Sequence, residues 1–223
     1  TSLTFGMTAR TPNVHGKVVA ISESGYPTLR VKERGKRAFD IKLSVAGEHN
    51  AHNALAAAAI GLAVKISAKD VVEALEAFVA ANKRMQVIKV NGIIVLNDTY
   101  NSNPDSTLVA LATLRSIASR GKKIVVLADM LELGAAAVNE HRLIGESIAK
   151  HGVQALWTFG PLSRSTHDAA TVAIKHHFED KQQLCADLAG VLAPGDVVLV
   201  KGSRSMKMEE VVAYLQDRLS KAA

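Results

Sequence analysis

A chain of 223 residues that is 48% hydrophobic but only 4% aromatic has room for one large or two small domains, with a core made mainly of Ala, Val, Leu and Ile. Its formal net charge of +6 favours anionic partners, yet no aromatics are interleaved with the basic clusters at 32–37 and 201–207, which argues against nucleic acid. No apolar run approaches the ~18 residues that span a bilayer, no signal peptide is visible, and a single cysteine allows no internal disulfide, so a soluble, cytoplasmic chain is expected. A monomer is also expected.

In chain order, 17–22 and 27–32 read as strands joined by the turn-like Glu23-Ser24-Gly25-Tyr26. Residues 37–45 alternate, with Phe39, Ile41, Leu43 and Val45 on one face, completing a small antiparallel sheet. A helix over 53–64 is so rich in alanine and other apolar residues that burial is expected all round. A second helix starts at Ser67, with Asp70 three residues on as a capping partner, and runs to about Asn82 with Val71, Val72, Leu75, Phe78 and Val79 as its apolar face. From Arg84 the rhythm changes. Strands are predicted at 85–90, 93–97, 123–128, 154–159, 172–177 and 196–200, and helices at 104–119, 136–150, 180–192 and 206–220. Asn91-Gly92 signals a two-residue hairpin between the first two strands. The remainder predicts an α/β fold with a doubly wound, mostly parallel, Rossmann-like sheet. The domain boundary is placed at 82–84, giving domains 1–83 and 84–223.

Ligands in such sheets bind at the carboxyl ends of the strands. That rule points to loops 97–106, 128–134, 160–165 and 201–205. In the first, Asn103 and Pro104 are explained as a helix cap, but Asp98, Tyr100, Asn101 and Ser102 exceed what a cap requires. In the last, Lys201-Gly202-Ser203-Arg204-Ser205 joins an apolar strand to a helix, and its glycine, two cations and helix N-terminus predict an anion site. Neither a G-x-x-x-x-G-K-[ST] phosphate loop nor a G-x-G-x-x-G fingerprint occurs. His49 and His52 share a helical face but lack further ligands nearby, so no metal site is assigned. Asn50 and Asn53 also share a face, where side-chain amides suit a base edge or a ribose. Asp129 and Glu132 are two carboxylates in one loop; Asp129 reads either as an acid–base group or as an orienter of backbone. His141 reads as a satisfied structural histidine, His176 and His177 as packing or exposed, and Cys185 as a buried thiol.

Five motifs occur in order: G-x-H-N-x-x-N-A-L-A-A-A from Gly47 to Ala58, Arg84-Met85-Gln86, D-x-Y-N-x-N-P-D-S from Asp98, A-D-M-L-E-L-G from Ala128, and V-K-G-S-R-S-M from Val200. Together they resemble the Mur ligases, in particular the branch that adds D-alanyl-D-alanine. The resemblance covers almost everything after Gly47. It implies that 1–83 is the strand-and-helix tail of a central ATPase domain and 84–223 the C-terminal domain of a three-domain enzyme. It further implies an activity: ATP phosphorylates the carboxylate of UDP-N-acetylmuramoyl-tripeptide, and D-alanyl-D-alanine attacks the acyl phosphate to form an amide, in peptidoglycan precursor synthesis. By the same resemblance Asn50, Asn53, Arg84 and Asp98 bind ATP, and Asn101, Ser102, Asn103, Lys201, Ser203, Arg204 and Ser205 bind the incoming substrate. The family's phosphate loop, modified lysine and Mg2+ ligands would precede Thr1, so the resemblance implies ATP and Mg2+ as cofactors of the intact enzyme, no metal ligand here, and no ligase activity for this chain alone. The alternative is a non-catalytic nucleotide- or peptide-binding module of the same fold.

Overall fold

The computed structural model describes residues 3–8, 12–80 and 82–221, which form two compact units, Thr1–Ala80 and Ala81–Ala223. The first unit contains strands β1 (Phe5–Gly6), β2 (Val14–Ile21), β3 (Pro27–Glu33) and β4 (Phe39–Lys42), then helices α1 (Glu48–Ala63) and α2 (Ala68–Glu76). The four strands lie in sequence order; β2, β3 and β4 are antiparallel, as expected, whereas β1 pairs with β2 in parallel. The alternation from Phe39 to Val45 is realised: Ile41, Leu43 and Val45 are buried and Phe39 packs against the same core.

Helix α1 starts earlier than its apolar run suggests. Gly47 caps it at φ 99°, a conformation open to glycine, and the helix takes in Glu48, His49 and Asn50. It buries one face only. Ala51, Ala54, Leu55, Ala58 and Ala59 are buried, whereas Ile60 and Val64 remain 64% and 65% exposed. The close seat of that face depends on Gly16 of β2, where a Cβ would stand 2.6 Å from a Leu55 methyl carbon. Helix α2 is capped as predicted, with Ser67 Oγ accepting from the Asp70 N–H. It stops at Glu76, however, so Phe78 and Val79 lie beyond it and are exposed rather than part of its apolar face.

The second unit carries β5 (Gln86–Val90), β6 (Ile93–Asp98), α3 (Pro104–Ser116), β7 (Lys123–Ala128), α4 (Ala137–Ile148), β8 (Ala155–Phe159), α5 (Arg164–Ala169), β9 (Ile174–Phe178), α6 (Lys181–Val191), β10 (Val197–Lys201) and α7 (Glu209–Ser220). Its sheet runs β5-β6-β10-β7-β8-β9. Only the β5–β6 hairpin is antiparallel, turning at Asn91 (φ 45°) and Gly92 (φ 73°) as a type I′ turn requires. The other neighbours are parallel, which makes the unit the doubly wound, Rossmann-like fold read from the rhythm of the sequence. Helix α5 was missed because it has six residues and buries only Thr166, leaving no apolar period to read.

β10 enters last and slots between β6 and β7, so the loops that follow these three strands share one edge of the sheet. The strands are buried on both faces. Val95, Val126, Trp157 and Val198 belong to the core beneath α6 and α7, while their neighbours Leu96, Val125, Leu156 and Leu199 are equally inaccessible. Helix α4 lies so close to α5 that a Cβ at Gly145 would stand 2.4 Å from the Thr166 carbonyl oxygen. Because that obstacle is backbone, Gly145→Ala is expected to destabilise the second unit by about 1–3 kcal/mol. Urea unfolding followed by fluorescence of the single tryptophan, Trp157, reports on this unit and checks the value.

Candidate functional site

The site is built around a buried ion pair. Lys201 and Asp98 end adjacent parallel strands and face each other in register. Lys201 Nζ donates to Asp98 Oδ2 at 2.7 Å and to the Asn101 carbonyl at 2.8 Å. The lysine side chain is 2% exposed and the aspartate 17%. An ammonium at that depth is tolerable only when paired and hydrogen-bonded, which both partners provide. The other Asp98 oxygen accepts from the Met85 N–H at 3.0 Å, and the Tyr100 N–H donates to the Lys83 carbonyl at 3.0 Å. These two bonds hold 83–85 against the sheet edge with Lys83 (φ 67°) and Met85 (φ 49°) both left-handed, a conformation uncommon for such residues. Between them, the Arg84 guanidinium lies 4.0 Å over the Tyr100 ring.

Hydrogen bonds stitch the four loops together. The Ser203 N–H donates to the Asp129 carbonyl at 3.1 Å, and Ser203 Oγ accepts from the Leu131 N–H at 2.8 Å and donates to the Ser102 carbonyl at 3.4 Å. Asp129 Oδ1 accepts from the Ser163 N–H at 2.7 Å, so the carboxylate orients backbone, one of its two predicted roles. Ser102 shares a hydrogen bond with Thr107 at 3.1 Å, and Asn103 caps α3 in a capping box with Ser106. Ser102 and Ser203 are each only 4% exposed, whereas Asn101, Asn103, Arg204 and Ser205 face solvent. The structure therefore groups Arg84, Asp98, Asn101, Ser102, Asn103, Lys201, Ser203, Arg204 and Ser205 on one edge of the second unit, with the two serines as internal fasteners.

Two local expectations are corrected. α7 begins at Glu209, after a 3-10 turn at Arg204–Met206 and a left-handed Lys207, so no long helix presents its N-terminus at Ser203–Ser205. Gly202 provides close approach to protein rather than to ligand: a Cβ there would stand 2.7 Å from Ala128 Cβ and 2.8 Å from Met208 Cγ. With Lys201 neutralised by Asp98, the exposed positive charge of this turn is Arg204. It reaches Glu209 at 3.2 Å, and Glu209 also pairs with Lys83 at 2.9 Å. Burial alone would raise the Glu209 pKa, but the Lys83 hydrogen bond, its own backbone N–H and the charges of Lys83 and Arg204 hold it below the ordinary glutamate value. Nothing in the sequence pairs Lys83 with Glu209, which lie 126 residues apart.

The remaining predicted groups sort simply. His141 is 1% exposed; its Nε2 accepts from the Met130 N–H at 2.9 Å, so Nδ1 carries the proton it gives to the Ala137 carbonyl at 2.7 Å. His176 stacks on Trp157 at 5.2 Å, while burial first, then Arg164 and His167, lower the His177 pKa. Cys185 is buried and its thiol pKa is pushed up to about 11, mainly by burial, as expected for an inert thiol. Asn50 and Asn53 belong to the first unit, where Asn50 Nδ2 donates to the Ala46 carbonyl at 2.7 Å and Asn53 Nδ2 to Asn50 Oδ1 at 3.3 Å. That unit also has an open cleft of about 320 Å³ walled by Lys36, Arg37 and Lys65, which includes none of the predicted site residues. Among the described residues no group of three or more His, Cys, Asp or Glu is placed to hold a metal ion, and no helix is long and apolar enough to cross a membrane.

A doubly wound α/β unit with a polar, cross-linked rim at its strand ends is a ligand-binding class of architecture. The family described as "Mur ligase, glutamate ligase domain" matches residues 83–204, more than half of the chain, and the chain belongs to the Mur ligase family. Among its relatives, the UDP-N-acetylmuramoyl-tripeptide--D-alanyl-D-alanine ligase of Bacillus subtilis is 33% identical over 181 residues, covering 78% of this chain and 39% of that protein. The enzyme of the same name from Escherichia coli is 35% identical, covering 80% and 39% respectively. A crystal structure of MurF from Acinetobacter baumannii superposes with a TM-score of 0.84 at 26% identity, covering 96% of this chain and 46% of the other. The chain thus spans about two fifths of the length of these curated relatives.

Two outcomes follow from the ion pairs. Lys201→Met leaves Asp98 without its cation and should cost about 3–5 kcal/mol, whereas the double variant with Asp98→Asn should lose clearly less than the sum of the two single losses. A urea double-mutant cycle reads the coupling. For Glu209 the folded pKa lies below the unfolded one, so its stabilisation is complete above the ordinary value of about 4.3 and is lost as pH falls through the folded pKa. Glu209→Gln should therefore flatten the acid limb of the stability–pH profile, measured as urea midpoints on either side of that value.

Proposed function

We propose that this chain is the C-terminal portion of an ATP-dependent, amide-forming ligase that joins D-alanyl-D-alanine to UDP-N-acetylmuramoyl-tripeptide through an acyl phosphate, in peptidoglycan precursor and hence cell-wall synthesis. The observation that carries the proposal is the rim itself: four of the five separated sequence motifs converge on one edge of the second unit, and the relatives that match most of the chain are ligases of that name. In this reading the first unit is the tail of the central ATPase domain and contributes Asn50 and Asn53 to the nucleotide. Arg84 and Asp98 serve the ribose and phosphates.

The chemistry suits the residues present. Attack of an amine on an acyl phosphate needs positioning and charge neutralisation more than a nucleophilic side chain. Arg84 offers a guanidinium held over Tyr100, and Asp98 has acceptor capacity left beside its two internal bonds. Arg204 presents a planar fork suited to a terminal carboxylate. Asn101 and Asn103 supply exposed amides near it, and Lys201, Ser102 and Ser203 act by fixing the loops that bear those groups. ATP would supply the phosphoryl group and Mg2+ its charge compensation. We further propose that the 223 residues by themselves form no amide, since they contain no phosphate-loop motif.

Phosphate release is the test, measured for the protein of the complete reading frame with ATP, UDP-N-acetylmuramoyl-tripeptide and D-alanyl-D-alanine. Release should depend on the dipeptide and fall roughly 10- to 100-fold in Asp98→Ala and Arg204→Ala, the loss expected of a hydrogen bond to a charged group. A folded protein with no dipeptide-dependent release would overturn the ligase reading, and amide formation by the 223-residue chain would overturn its proposed inactivity.

A further inference from the structure

One carboxylate on the rim has no role in the reading above. Glu132, in the loop after β7, is exposed, and among the described residues it makes no hydrogen bond or ion pair. Its backbone is left-handed, at φ 65°. A glutamate in that region is strained, and such strain persists where the surroundings over-determine the conformation, as they do at ligand clamps. The surroundings here are specific. Just before Glu132, the Met130 N–H is held by His141 and the Leu131 N–H by Ser203, so the loop is pinned up to the residue that bears the free carboxylate.

On the far side of the Leu131–Ser203 bond stands Arg204, 57% exposed and, among the described residues, reaching only Glu209. Glu132 and Arg204 are thus each one residue beyond the same 2.8 Å hydrogen bond. Opposite charges therefore flank one pinned seam of the rim, and a zwitterionic dipeptide, about 7 Å long when extended, carries the complementary pair. The other carboxylates are engaged: Asp98 by Lys201, Asp129 by Ser163 and Glu209 by Lys83. Asp105 lies in the first turn of α3, where a carboxylate already complements the helix N-terminus.

We propose that Glu132 is a specificity-determining residue that receives the ammonium group of the zwitterionic dipeptide whose carboxylate Arg204 holds. The identity of the dipeptide rests on the ligase reading; the charge pairing rests on the rim. The pairing explains how a free amino terminus is selected over an acylated one, the bound ammonium losing its proton to solvent before the neutral amine attacks, and why the loop keeps a strained glutamate where glycine would be relaxed.

Steady-state kinetics of the intact enzyme test it. Glu132→Gln should raise KM for D-alanyl-D-alanine roughly 10- to 100-fold, the loss expected of a charge-assisted hydrogen bond, with KM for ATP unchanged, and Glu132→Asp should recover part of it. Glu132→Gly should raise Tm by relieving the backbone while raising the dipeptide KM as Gln does, a combination that a merely structural residue does not give. Binding is read separately, from NMR shifts of the 132 and 204 amides when millimolar D-alanyl-D-alanine or its N-acetyl derivative is added to the 223-residue chain. Shifts with the free amine only, lost in Glu132→Gln, support the pairing even if the intact enzyme shows no turnover, in which case the ligase reading alone fails. An unchanged dipeptide KM in Glu132→Gln, or no shifts with either compound, overturns the proposal.

Discussion

The ammonium of Lys201 is almost wholly removed from water, and the candidate site is arranged around keeping it paired. Its partner, Asp98, comes from the neighbouring strand at the same register, so the pair spans the seam where the last strand inserts into the sheet. One aspartate oxygen takes the lysine; the other takes the backbone of Met85. Through that second oxygen, the charge balance inside the sheet edge fixes where Arg84 stands. A neutral pair of similar shape could fill the same space, but it would not tie three chain segments to one point.

From that point the rim becomes a division of labour. Buried residues determine loop shape: Lys201, Ser203, Asp129 and His141 each direct a polar atom at backbone, and Ser102 directs its hydroxyl at Thr107. Exposed residues, Arg84, Asn101, Asn103, Glu132 and Arg204, present unlike functional groups to solvent. A binding site needs both kinds, because side chains on unsupported loops hold no geometry.

Much of this was legible in the sequence, for identifiable reasons. The alternation from Phe39 to Val45, the Asn91-Gly92 turn, the Ser67 cap and the Asn103-Pro104 start are local signals whose physics lies within a few residues, and the structure realises each. The apolar strands announced a sheet buried on both faces. Long-range pairings were not legible: no spacing rule joins Lys83 to Glu209 or Leu131 to Ser203. Lys201 read as a free charge because burial and partnering cannot be seen in a strand-end lysine. Gly202 read as room for a ligand when it is room for Ala128 and Met208. Phe78 and Val79 continued an apolar pattern past the true end of α2, since the periodicity carried no stop signal there.

The stitching through Ser203 and Asp129 has a consequence for how such a rim diverges. Loops of a doubly wound sheet are often treated as separable, each free to accept insertions or grafts. Here the turn after β10 is hydrogen-bonded to the loops after β6 and β7, and the loop after β7 to the one after β8. A graft that replaces any one of them orphans buried donors and acceptors in another. Recombination between relatives would keep a working rim only when the four loops travel together as one inherited block, although they are scattered over more than a hundred residues of sequence.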